Sequence, residues 1–532
     1  MIDWNALYNS GVGLLKKAIA SLDKDLELKP DHEACYNRGV ALGNSGRFEA
    51  AIADYDKTLE IKPNYYLAWY NRGVMLGNLG RLEAAIASYD KSLEFKPDHH
   101  EAWTNRGKTL NDLGRFEEAI ASCDKALKIK PDYYLAWTNR GVALVNSGRL
   151  EAAIASFDKA LEFKPDYHEA WSHRGYAMNK LGLFEAALAS CDKALKIKPD
   201  YHEAWDNRGN VLGNLGRFEK AIASYDRALE IKPGFQAWYD RGTTLLYLGR
   251  FEAAITSCEK ALEFKPDFHE AWNNRGVAMY NLCLFEEAIA DYDKALKIKP
   301  DFHEAWSNRG NAMNNLGLFE EALASCDKAL EIKPDFHEAW NNRGYTLGNL
   351  GRGEEALASC DKALEIKPDD PEAWTNRGNA LGILGRWEEA ITDYDKALET
   401  KPDFHEAWYT RGNALGNLGR WEEAIADYDK ALEIKPDFHE AWYTRGYALC
   451  NLEKLEEAIV SFDKALEFKP NYQEAFYNKA CCYALQSQID QAIQNLQQAI
   501  NLNPDTYREL AKTDSGFDSM RSHPQFQALI QR

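Results

Sequence analysis

Histidine recurs at one position of a periodic pattern, and histidine is among the side chains that most often bind metal ions in proteins. The members are His32, His100, His168, His202, His269, His303, His337, His405 and His439. Tyr66, Tyr134 and Pro371 take the same position elsewhere. Equivalent side chains of stacked helical units lie too far apart to share one ion, because neighbouring helices alone are separated by about 8–10 Å. We therefore predict first-turn surface histidines and no metal site.

Ten cysteines raise the question of disulfide, zinc or thiol chemistry. Five of them share one position of the pattern: Cys123, Cys191, Cys258, Cys326 and Cys360. Other units carry an aromatic residue there, as at Tyr55 and Phe157, which indicates a core position. Separation by a whole unit argues against disulfide pairing and against the short ligand spacings of zinc sites. The adjacent pair Cys481-Cys482 is a weak signal for either chemistry.

Glycines spaced as in RGNALGNLGR, residues 411–420, resemble a phosphate-binding loop. Such a loop needs a strand before it and a helix after it, whereas these glycines lie inside and at the end of a predicted helix. No Ser-His-Asp or Cys-His arrangement and no paired-carboxylate pocket stands outside the repeating pattern. Because catalysis requires such a site, we predict no catalytic residues, no cofactor and no enzymatic activity.

The net charge of −19 and the pI of about 5.2 argue against nucleic-acid binding, which needs clustered lysine and arginine. The sequence starts MIDWNALYNS, which lacks the basic and apolar regions of a signal peptide, and no apolar run approaches the length of a membrane span. We expect a cytoplasmic protein that neither binds nucleic acid nor inserts into a membrane.

A repeat of 34 residues, marked by Lys-Pro dipeptides, runs through the chain. The prolines are Pro30, Pro63, Pro97, Pro131, Pro165, Pro199, Pro233, Pro266, Pro300, Pro334, Pro368, Pro402, Pro436 and Pro470, and Asn503-Pro504 ends the series. Two steps, from Pro30 and from Pro233, span 33 residues instead. A fixed period of this length indicates stacked structural units.

The unit at 301–334 predicts two helices. Asp301 and Glu304 have the spacing of an N-terminal capping box, and apolar residues follow at helical spacing up to Gly317, which suits a left-handed helix end. A second helix is predicted from about Phe319, and Pro334 forbids its continuation. Such a hairpin cannot bury its apolar face alone, so the units must stack.

The residues at these positions resemble the tetratricopeptide repeat. In the unit at 301–334 they are Trp306, Gly310, Met313, Gly317, Phe319, Ala322, Cys326, Ala329 and Pro334. The Asn-Arg-Gly and Lys-Pro-Asp elements are similar to those of bacterial, particularly cyanobacterial, arrays. The resemblance implies an all-α, right-handed superhelical α-solenoid of stacked helix-turn-helix units. It also implies small residues, such as Gly310, where helices approach closest.

Both ends depart from the repeat. Residues 1–30 are interpreted as a degenerate N-terminal repeat or cap, residues 31–504 as about fourteen tandem repeats, and residues 505–532 as C-terminal capping helices. Such arrays need a polar outer face at each end. The residues expected to pack on the last repeat are Phe517, Met520, Phe526 and Leu529.

Thirteen repeats carry arginine in the first helix, where the family usually has a large apolar residue. They are Arg38, Arg72, Arg106, Arg140, Arg174, Arg208, Arg241, Arg275, Arg309, Arg343, Arg377, Arg411 and Arg445. The same repeats carry an acidic residue in the second helix, whereas the repeat with Lys479 has Gln497 there. A buried guanidinium without a partner would cost on the order of several kcal/mol. We therefore predict a recurring arginine–aspartate pair between helices that acts on stability rather than on binding.

The residue before that arginine is most often asparagine, a mediocre helix former. By resemblance to tetratricopeptide arrays this position lines the concave groove, where side-chain amides can bond a peptide backbone without reading its side chains. The predicted binding ladder is Asn71, Asn105, Asn139, Asn207, Asn274, Asn308, Asn342 and Asn376, and the exceptions in the series are His173, Asp240, Thr410 and Thr444. Duplication of near-identical repeats explains the series equally well.

Further groove-lining residues are predicted on the first helices: Glu304, Asn311, Tyr345, Asn379 and Asn413. This polar and acidic lining suits an extended peptide with some basic character. We predict a non-catalytic scaffold that binds a peptide or protein segment in the groove. Two alternatives remain open, an assembly or chaperone-like factor for a multiprotein complex and the regulatory array of an enzyme on another chain. The sequence indicates neither the identity of the partner nor the oligomeric state.

Overall fold

The computed structural model describes residues 20–23 and 31–531. Every regular element in this part of the chain is a helix, which confirms the predicted all-α class. None of the helices described is long and apolar enough to cross a membrane. The chain divides into two compact units, Met1–Pro266 and Asp267–Arg532.

Consecutive helix pairs build the described part of the first unit. The pairs are α1 (His32–Asn44) with α2 (Phe48–Ile61), α3 (Tyr66–Asn78) with α4 (Leu82–Phe95), α5 (His100–Asp112) with α6 (Phe116–Ile129), α7 (Tyr134–Asn146) with α8 (Leu150–Phe163), α9 (His168–Lys180) with α10 (Phe184–Ile197), α11 (His202–Asn214) with α12 (Phe218–Ile231), and α13 (Phe235–Tyr247) with α14 (Phe251–Phe264). The predicted degenerate repeat at 1–30 lies outside the described residues, apart from residues 20–23.

The second unit continues the same pattern and adds terminal helices. Its pairs are α15 (His269–Asn281) with α16 (Phe285–Ile298), α17 (His303–Asn315) with α18 (Phe319–Ile332), α19 (His337–Asn349) with α20 (Gly353–Ile366), α21 (Pro371–Ile383) with α22 (Trp387–Thr400), α23 (His405–Asn417) with α24 (Trp421–Ile434), α25 (His439–Asn451) with α26 (Leu455–Phe468), and α27 (Gln473–Leu485) with α28 (Ile489–Leu502). After these come α29 (Pro504–Thr513), a 3-10 helix (Ser515–Met520) and α30 (Pro524–Gln531).

Each first helix packs along the second helix of its own pair and, within a unit, on the second helix of the preceding pair. This arrangement confirms the predicted stacking of helix-turn-helix units. At the end of the second unit, one shared core contains Phe517, Met520, Phe526 and Leu529 together with Tyr477 and Leu496 of the last pair. We call the surface formed by successive first helices within a unit the first-helix face.

Helix starts differ from the capping-box prediction. Helix α17 begins directly after Phe302, whose N–H donates to the Lys299 carbonyl (3.2 Å), and no side chain caps it. The prediction was wrong because this turn places Asp301 one residue ahead of the N-cap. Instead, the Trp306 indole N–H donates to the Pro300 carbonyl (2.9 Å) and ties the helix to the turn. Equivalent bonds are made by Trp69, Trp103, Trp137, Trp171, Trp205, Trp340, Trp374, Trp408 and Trp442.

Close packing within a pair depends on the glycine of Asn-Arg-Gly. A Cβ atom on Gly310 would lie 2.9 Å from Cys326 Sγ and 3.1 Å from the Ala322 carbonyl oxygen, so a larger residue requires the backbone to move. Burial raises the pKa of Cys326 to about 12, and this thiol fills a core position as predicted. Gly317, with φ of 73°, confirms the predicted left-handed helix end.

One pair of free thiols outside the five core cysteines lies close together although its members belong to different repeats. Cys450 in α25 and Cys482 in α27 lie one repeat apart in sequence, yet their Sγ atoms are 3.1 Å apart. Consecutive first helices are neighbours on the first-helix face, so side chains one repeat apart can meet. Separation by a whole repeat therefore does not by itself prevent pairing.

Arginine side chains join three helices at the junctions between repeats. Arg309 Nε donates to Asp293 Oδ1 of the preceding repeat, and Arg309 Nη1 donates to Ser325 Oγ of its own repeat, both at 2.7 Å. We call this arrangement the arginine clamp. It confirms the predicted arginine–aspartate pair and shows that the aspartate belongs to the preceding repeat. Clamps of the same form are centred on Arg72, Arg106, Arg140, Arg174, Arg208, Arg241, Arg343 and Arg445.

Aspartate replaces the inner serine opposite four arginines: Arg38, Arg275, Arg377 and Arg411. The Asp427 side chain is only 6% exposed and accepts from Arg411 Nε and Nη2 at 2.7 and 2.6 Å. The same guanidinium also pairs with Asp395 of the preceding repeat, whose side chain is far more exposed than that of Asp427. Burial raises the pKa of Asp427 despite this pairing, so its charge depends on the arginine.

The register of the clamp explains both ends of the series. Arg38 Nη1 donates to Asp23, which takes the place of a preceding repeat's aspartate, at 2.7 Å. In the last repeat, Lys479 pairs with Asp463 of the repeat before it. Gln497 would face a following repeat, where the equivalent position is Thr513. Contrary to the inference from sequence, Lys479 therefore has its acid, and Gln497 belongs to a junction without arginine.

The repeated histidines are half-buried, and most of them contact an aromatic ring of the next repeat, so the prediction of surface residues was wrong. His303 packs edge-on against Phe336 of the next repeat with ring centroids 4.8 Å apart, and His168 packs against Tyr201 at 4.7 Å. In these and several other repeats, the aromatic residue of the next Lys-Pro turn covers the imidazole. Burial lowers the pKa of His168, His202, His303 and His405.

Removal of the clamp arginine is expected to cost more stability where the inner acceptor is aspartate. Arg411→Leu leaves the buried Asp427 carboxylate without its cation, a change worth about 3–5 kcal/mol. Arg309→Leu leaves a neutral serine and a solvated aspartate, and about 1–2 kcal/mol is expected. Hydrogen exchange of amides in the helices flanking each site measures the local opening free energy.

The double variant Arg411→Leu with Asp427→Ser is the matched control, because it places leucine opposite serine, as Arg309→Leu does. It should recover most of the stability that Arg411→Leu loses. Equal losses in the two single variants, or no recovery in the double variant, would show that the inner carboxylate does not govern the clamp.

Acid is expected to destabilise the repeats through the four histidines whose pKa is lowered. Above the unfolded-state pKa of about 6.5 these imidazoles are neutral in both states and contribute no pH dependence. Below it the unfolded chain binds protons first, so the free energy of unfolding falls as the pH falls. Buried acids with a raised pKa, such as Asp427, bind protons first in the folded state and so raise the free energy of unfolding as the pH falls. The contribution of the histidines is therefore measured by comparing a histidine variant with the unaltered chain.

The comparison uses His→Tyr at all four positions, since Tyr66 and Tyr134 occupy this site in other repeats. Denaturation midpoints of both proteins are measured at about pH 7.5 and about pH 5.5. The tyrosine variant should lose less stability on acidification than the unaltered chain. Equal losses in both proteins would exclude these histidines as the cause.

Candidate peptide-binding groove

First helices of successive repeats line open polar space in the first unit. A cavity of about 740 Å³ lies between α7, α9, α11 and α13, and its lining includes His173, Tyr176, Asn207, Asn210 and Asp240. A cavity of about 360 Å³ shares part of this lining and adds Asn139. The predicted ladder residues Asn139 and Asn207 thus border concave space of the kind that ligand groups occupy.

The predicted asparagine ladder joins one repeat to the next. Asn308 Nδ2 donates to Asn273 Oδ1 at 3.0 Å, and Asn376 Nδ2 donates to Asn341 Oδ1 at 2.9 Å. Each acceptor is the residue just before the equivalent ladder position one repeat earlier. The other pairs are Asn71–Tyr36, Asn105–Tyr70, Asn207–Ser172, Asn342–Ser307 and Asn478–Tyr443. We call each of these bonds a rung.

In each rung the asparagine bonds through its amide nitrogen, and its amide oxygen takes no part in the rung. Among residues 31–531, no donor bonds the Oδ1 atoms of Asn207, Asn308 or Asn376. The rung fixes the orientation of each amide, so its oxygen is held in place before any ligand arrives. The amide nitrogens of the ladder therefore stabilise the stack, while the amide oxygens remain available to accept a hydrogen bond from a ligand.

Some first helices carry a second asparagine three residues after the ladder position. This asparagine is bonded through its amide oxygen rather than through its amide nitrogen. Asn379 Oδ1 accepts from the Tyr394 hydroxyl at 2.8 Å, and Asn413 Oδ1 accepts from the Tyr428 hydroxyl at 2.9 Å. These tyrosines belong to the second helix of the same pair. Within the described chain, the Asn379 Nδ2 atom donates to no protein acceptor. Asn379 thus presents donors where Asn376 on the same helix presents an acceptor.

The other predicted groove residues lie on first helices in different surroundings. Asn139 makes no rung, Asn274 and Asn311 are half-buried, and Tyr345 is 44% exposed. Glu304 Oε2 lies 3.1 Å from His303 Nδ1.

One junction has two carboxylates where the others have a donor and an acceptor. Asp206 takes the acceptor position, and Asp240 replaces the asparagine one repeat later. Asp206 Oδ1 is buried and accepts no hydrogen bond from the described residues, whereas Asp240 Oδ1 accepts from Gln236 Nε2 at 3.0 Å. Burial and the nearby Asp240 carboxylate raise the pKa of Asp206 to about 7, and burial raises that of Asp240 to about 6.

Sequence reasoning missed Asp206 and noticed Asp240 only as an exception in the asparagine series. The acceptor position carries Tyr, Thr, Ser or Asn in the other repeats, so Asp206 is a departure from the pattern. Asp206 stands out only when it is known that this position accepts a hydrogen bond from the asparagine position of the next repeat. That contact is formed by the stacking of the helices and cannot be read from the sequence.

The sequence profile of the tetratricopeptide repeat matches residues 32–65, 66–99, 100–133, 202–235, 303–336, 337–370, 371–404, 405–438, 439–472 and 474–506. A second tetratricopeptide-repeat profile matches residues 127–168, 138–202 and 239–301. No curated protein matches the chain.

Several crystal structures match parts of the chain. The APC/C hetero-tetramer Cut9-Hcn1 is 15% identical over 89% of this chain and 98% of that chain, with a TM-score of 0.49. YrrB, a TPR protein with an unusual peptide-binding site, is 26% identical over 34% of this chain and 95% of that chain, with a TM-score of 0.31. A tetratricopeptide repeat protein from Parabacteroides merdae is 18% identical over 47% of this chain and 98% of that chain, with a TM-score of 0.41.

The matched segments cover more than half of the chain, and each spans one helix pair of the structure or most of it. The repeats of this family serve in general as protein-interaction scaffolds without catalytic activity. Because the matched segments coincide with the stacked helix pairs, this chain belongs to the tetratricopeptide repeat family.

Proposed function

We propose that this chain is a non-catalytic scaffold that binds an extended peptide or protein segment along its first-helix face. Membership of the tetratricopeptide repeat family supports a protein-interaction role. The observation that carries the peptide proposal is the pair of asparagines on α21 with opposite hydrogen-bonding capacity. The terminal segments 1–30 and 505–532 would act as caps of the array.

Asn376 and Asn379 lie three residues apart and therefore on one side of the helix. One offers an amide oxygen and the other an amide nitrogen, while each has its remaining group held by another side chain. A peptide backbone carries one N–H and one C=O per residue, so this pair can satisfy both without reading the side chain. Because the amides are already ordered, binding costs little side-chain entropy.

The proposed binding residues are the predicted ladder, Asn71, Asn105, Asn139, Asn207, Asn274, Asn308, Asn342 and Asn376, with Glu304, Asn311, Tyr345, Asn379 and Asn413. Exposed tyrosines such as Tyr345 would add apolar contact area beside the amides.

Threonine at three ladder positions is expected to weaken peptide binding without unfolding the chain. The variant is Asn308→Thr, Asn342→Thr and Asn376→Thr, which follows Thr410 and Thr444 at the same position of other repeats. Peptides of about 12 residues are selected on the unaltered chain from a displayed random library, and their dissociation constants are measured by calorimetry. Loss of three amide contacts should raise the dissociation constant at least ~10-fold.

The matched control carries three substitutions on the second helices of the same region, Glu331→Ala, Glu365→Ala and Glu399→Ala. These glutamates are exposed, so binding and thermal stability should stay unchanged. Peptides that bind the threonine variant as tightly as the unaltered chain, or that lose affinity only for the control variant, would contradict binding on the first-helix face of the second unit.

A further inference from the structure

The junction of Asp206 and Asp240 lacks the donor that its position in the ladder requires. At the seven rungs described above, an asparagine Nδ2 donates to an oxygen of the preceding repeat. Here both side chains are carboxylates, so neither can donate to the other unless one is protonated. Asp206 Oδ1 is buried and has no partner in the described chain, a state that costs free energy until a donor arrives.

This junction lies in the wall of the 740 Å³ cavity of the first unit. Glu203 adds a third carboxylate to the lining, against one ammonium group from the exposed Lys180. Burial lowers the pKa of His173, so this imidazole is neutral near pH 7 and adds no positive charge. The lining therefore has more carboxylates than cations, and one of its residues, Asp206, has a buried oxygen without a donor from the described chain.

The geometry favours an organic cation over a metal ion. Among residues 20–23 and 31–531, no three His, Cys, Asp or Glu side chains are grouped so that they could hold a metal. An ammonium or guanidinium group brings several N–H donors and no acceptor, so it can supply the donor that Asp206 lacks within the described chain. Val142, Val145 and Tyr176 also line the cavity and can cover the aliphatic stem of such a group.

We propose that this cavity binds one basic side chain, lysine or arginine, of the segment that lies along the first-helix face. The cation takes the place of the missing asparagine amide and bonds the carboxylates of Asp206 and Asp240. This inference rests on the proposed peptide-binding function and adds one fixed position at which the bound segment must be basic.

The substitution Asp240→Asn tests the proposal because it restores the asparagine of the other rungs. Its amide should donate to Asp206, so the thermal midpoint of the full chain should rise or stay the same. The probes are short, labelled and acetylated polyalanine amides whose central residue is arginine, lysine or neutral citrulline, and their binding is measured by fluorescence anisotropy. The unaltered chain should bind at least one basic probe ~10-fold more tightly than the citrulline probe, and Asp240→Asn should abolish that preference.

Asp132→Asn is the control, since it makes the same change of charge at an exposed residue of the first unit. It should leave the preference for basic probes intact. Absence of the preference in the unaltered chain, or its persistence in Asp240→Asn, would overturn the proposal. Spermidine is tested in parallel as a cation that is not part of a peptide. If it binds as tightly as the better basic probe, the cavity is assigned to a free polyamine instead.

The outcome separates this inference from the proposed function. If library peptides bind through the ladder asparagines while the probes show no basic preference, only the cation cavity fails. If Asp240→Asn abolishes basic binding while library peptides are insensitive to threonine at 308, 342 and 376, the cavity binds a cation and the groove of the second unit fails.

Discussion

Within a unit, the arginine clamp fixes how one repeat packs on the repeat before it, and the first-helix face follows from that register. One guanidinium bonds its own second helix and the preceding second helix, while it lies over a tryptophan of its own helix, with Arg309 Cζ 5.8 Å from the Trp306 ring centroid. The same indole bonds the proline carbonyl of the turn that joins the two repeats. The turn, the first helix and two second helices thus share one polar network.

The first-helix face inherits its chemistry from this stacking. Rungs form because the clamp brings successive first helices to a distance at which an asparagine reaches the residue preceding its counterpart. A rung uses only part of an amide, so one residue type can stabilise the array and still offer an oxygen to a ligand. Where Asp206 and Asp240 break the series, the stack loses a hydrogen bond and the adjoining cavity gains charge. Such a loss of local consistency is typical of functional positions.

Much of the fold was predictable because its determinants are local. Helical spacing of apolar residues, glycine at φ of 73° and proline at the turns act over a few residues, so the helix pairs follow directly from the pattern. The errors arose where a contact comes from another repeat. Asp301 does not cap α17 because the turn bonds the chain differently, and His303 is covered by Phe336, which lies one repeat away.

The sequence by itself determined the period, the helix pairs, the family and the joint presence of arginine and an acid in thirteen repeats. It could not determine which acid meets which arginine, or which residue accepts from each asparagine. Because the repeats are nearly identical, each contains both an arginine and an acid, and most contain both an asparagine and its acceptor. The sequence therefore looks the same whether the two partners come from one repeat or from neighbouring repeats. The distances between stacked helices decided the matter: Arg309 bonds Asp293 of the preceding repeat, and Asp240 lies near Asp206 without a donor between them.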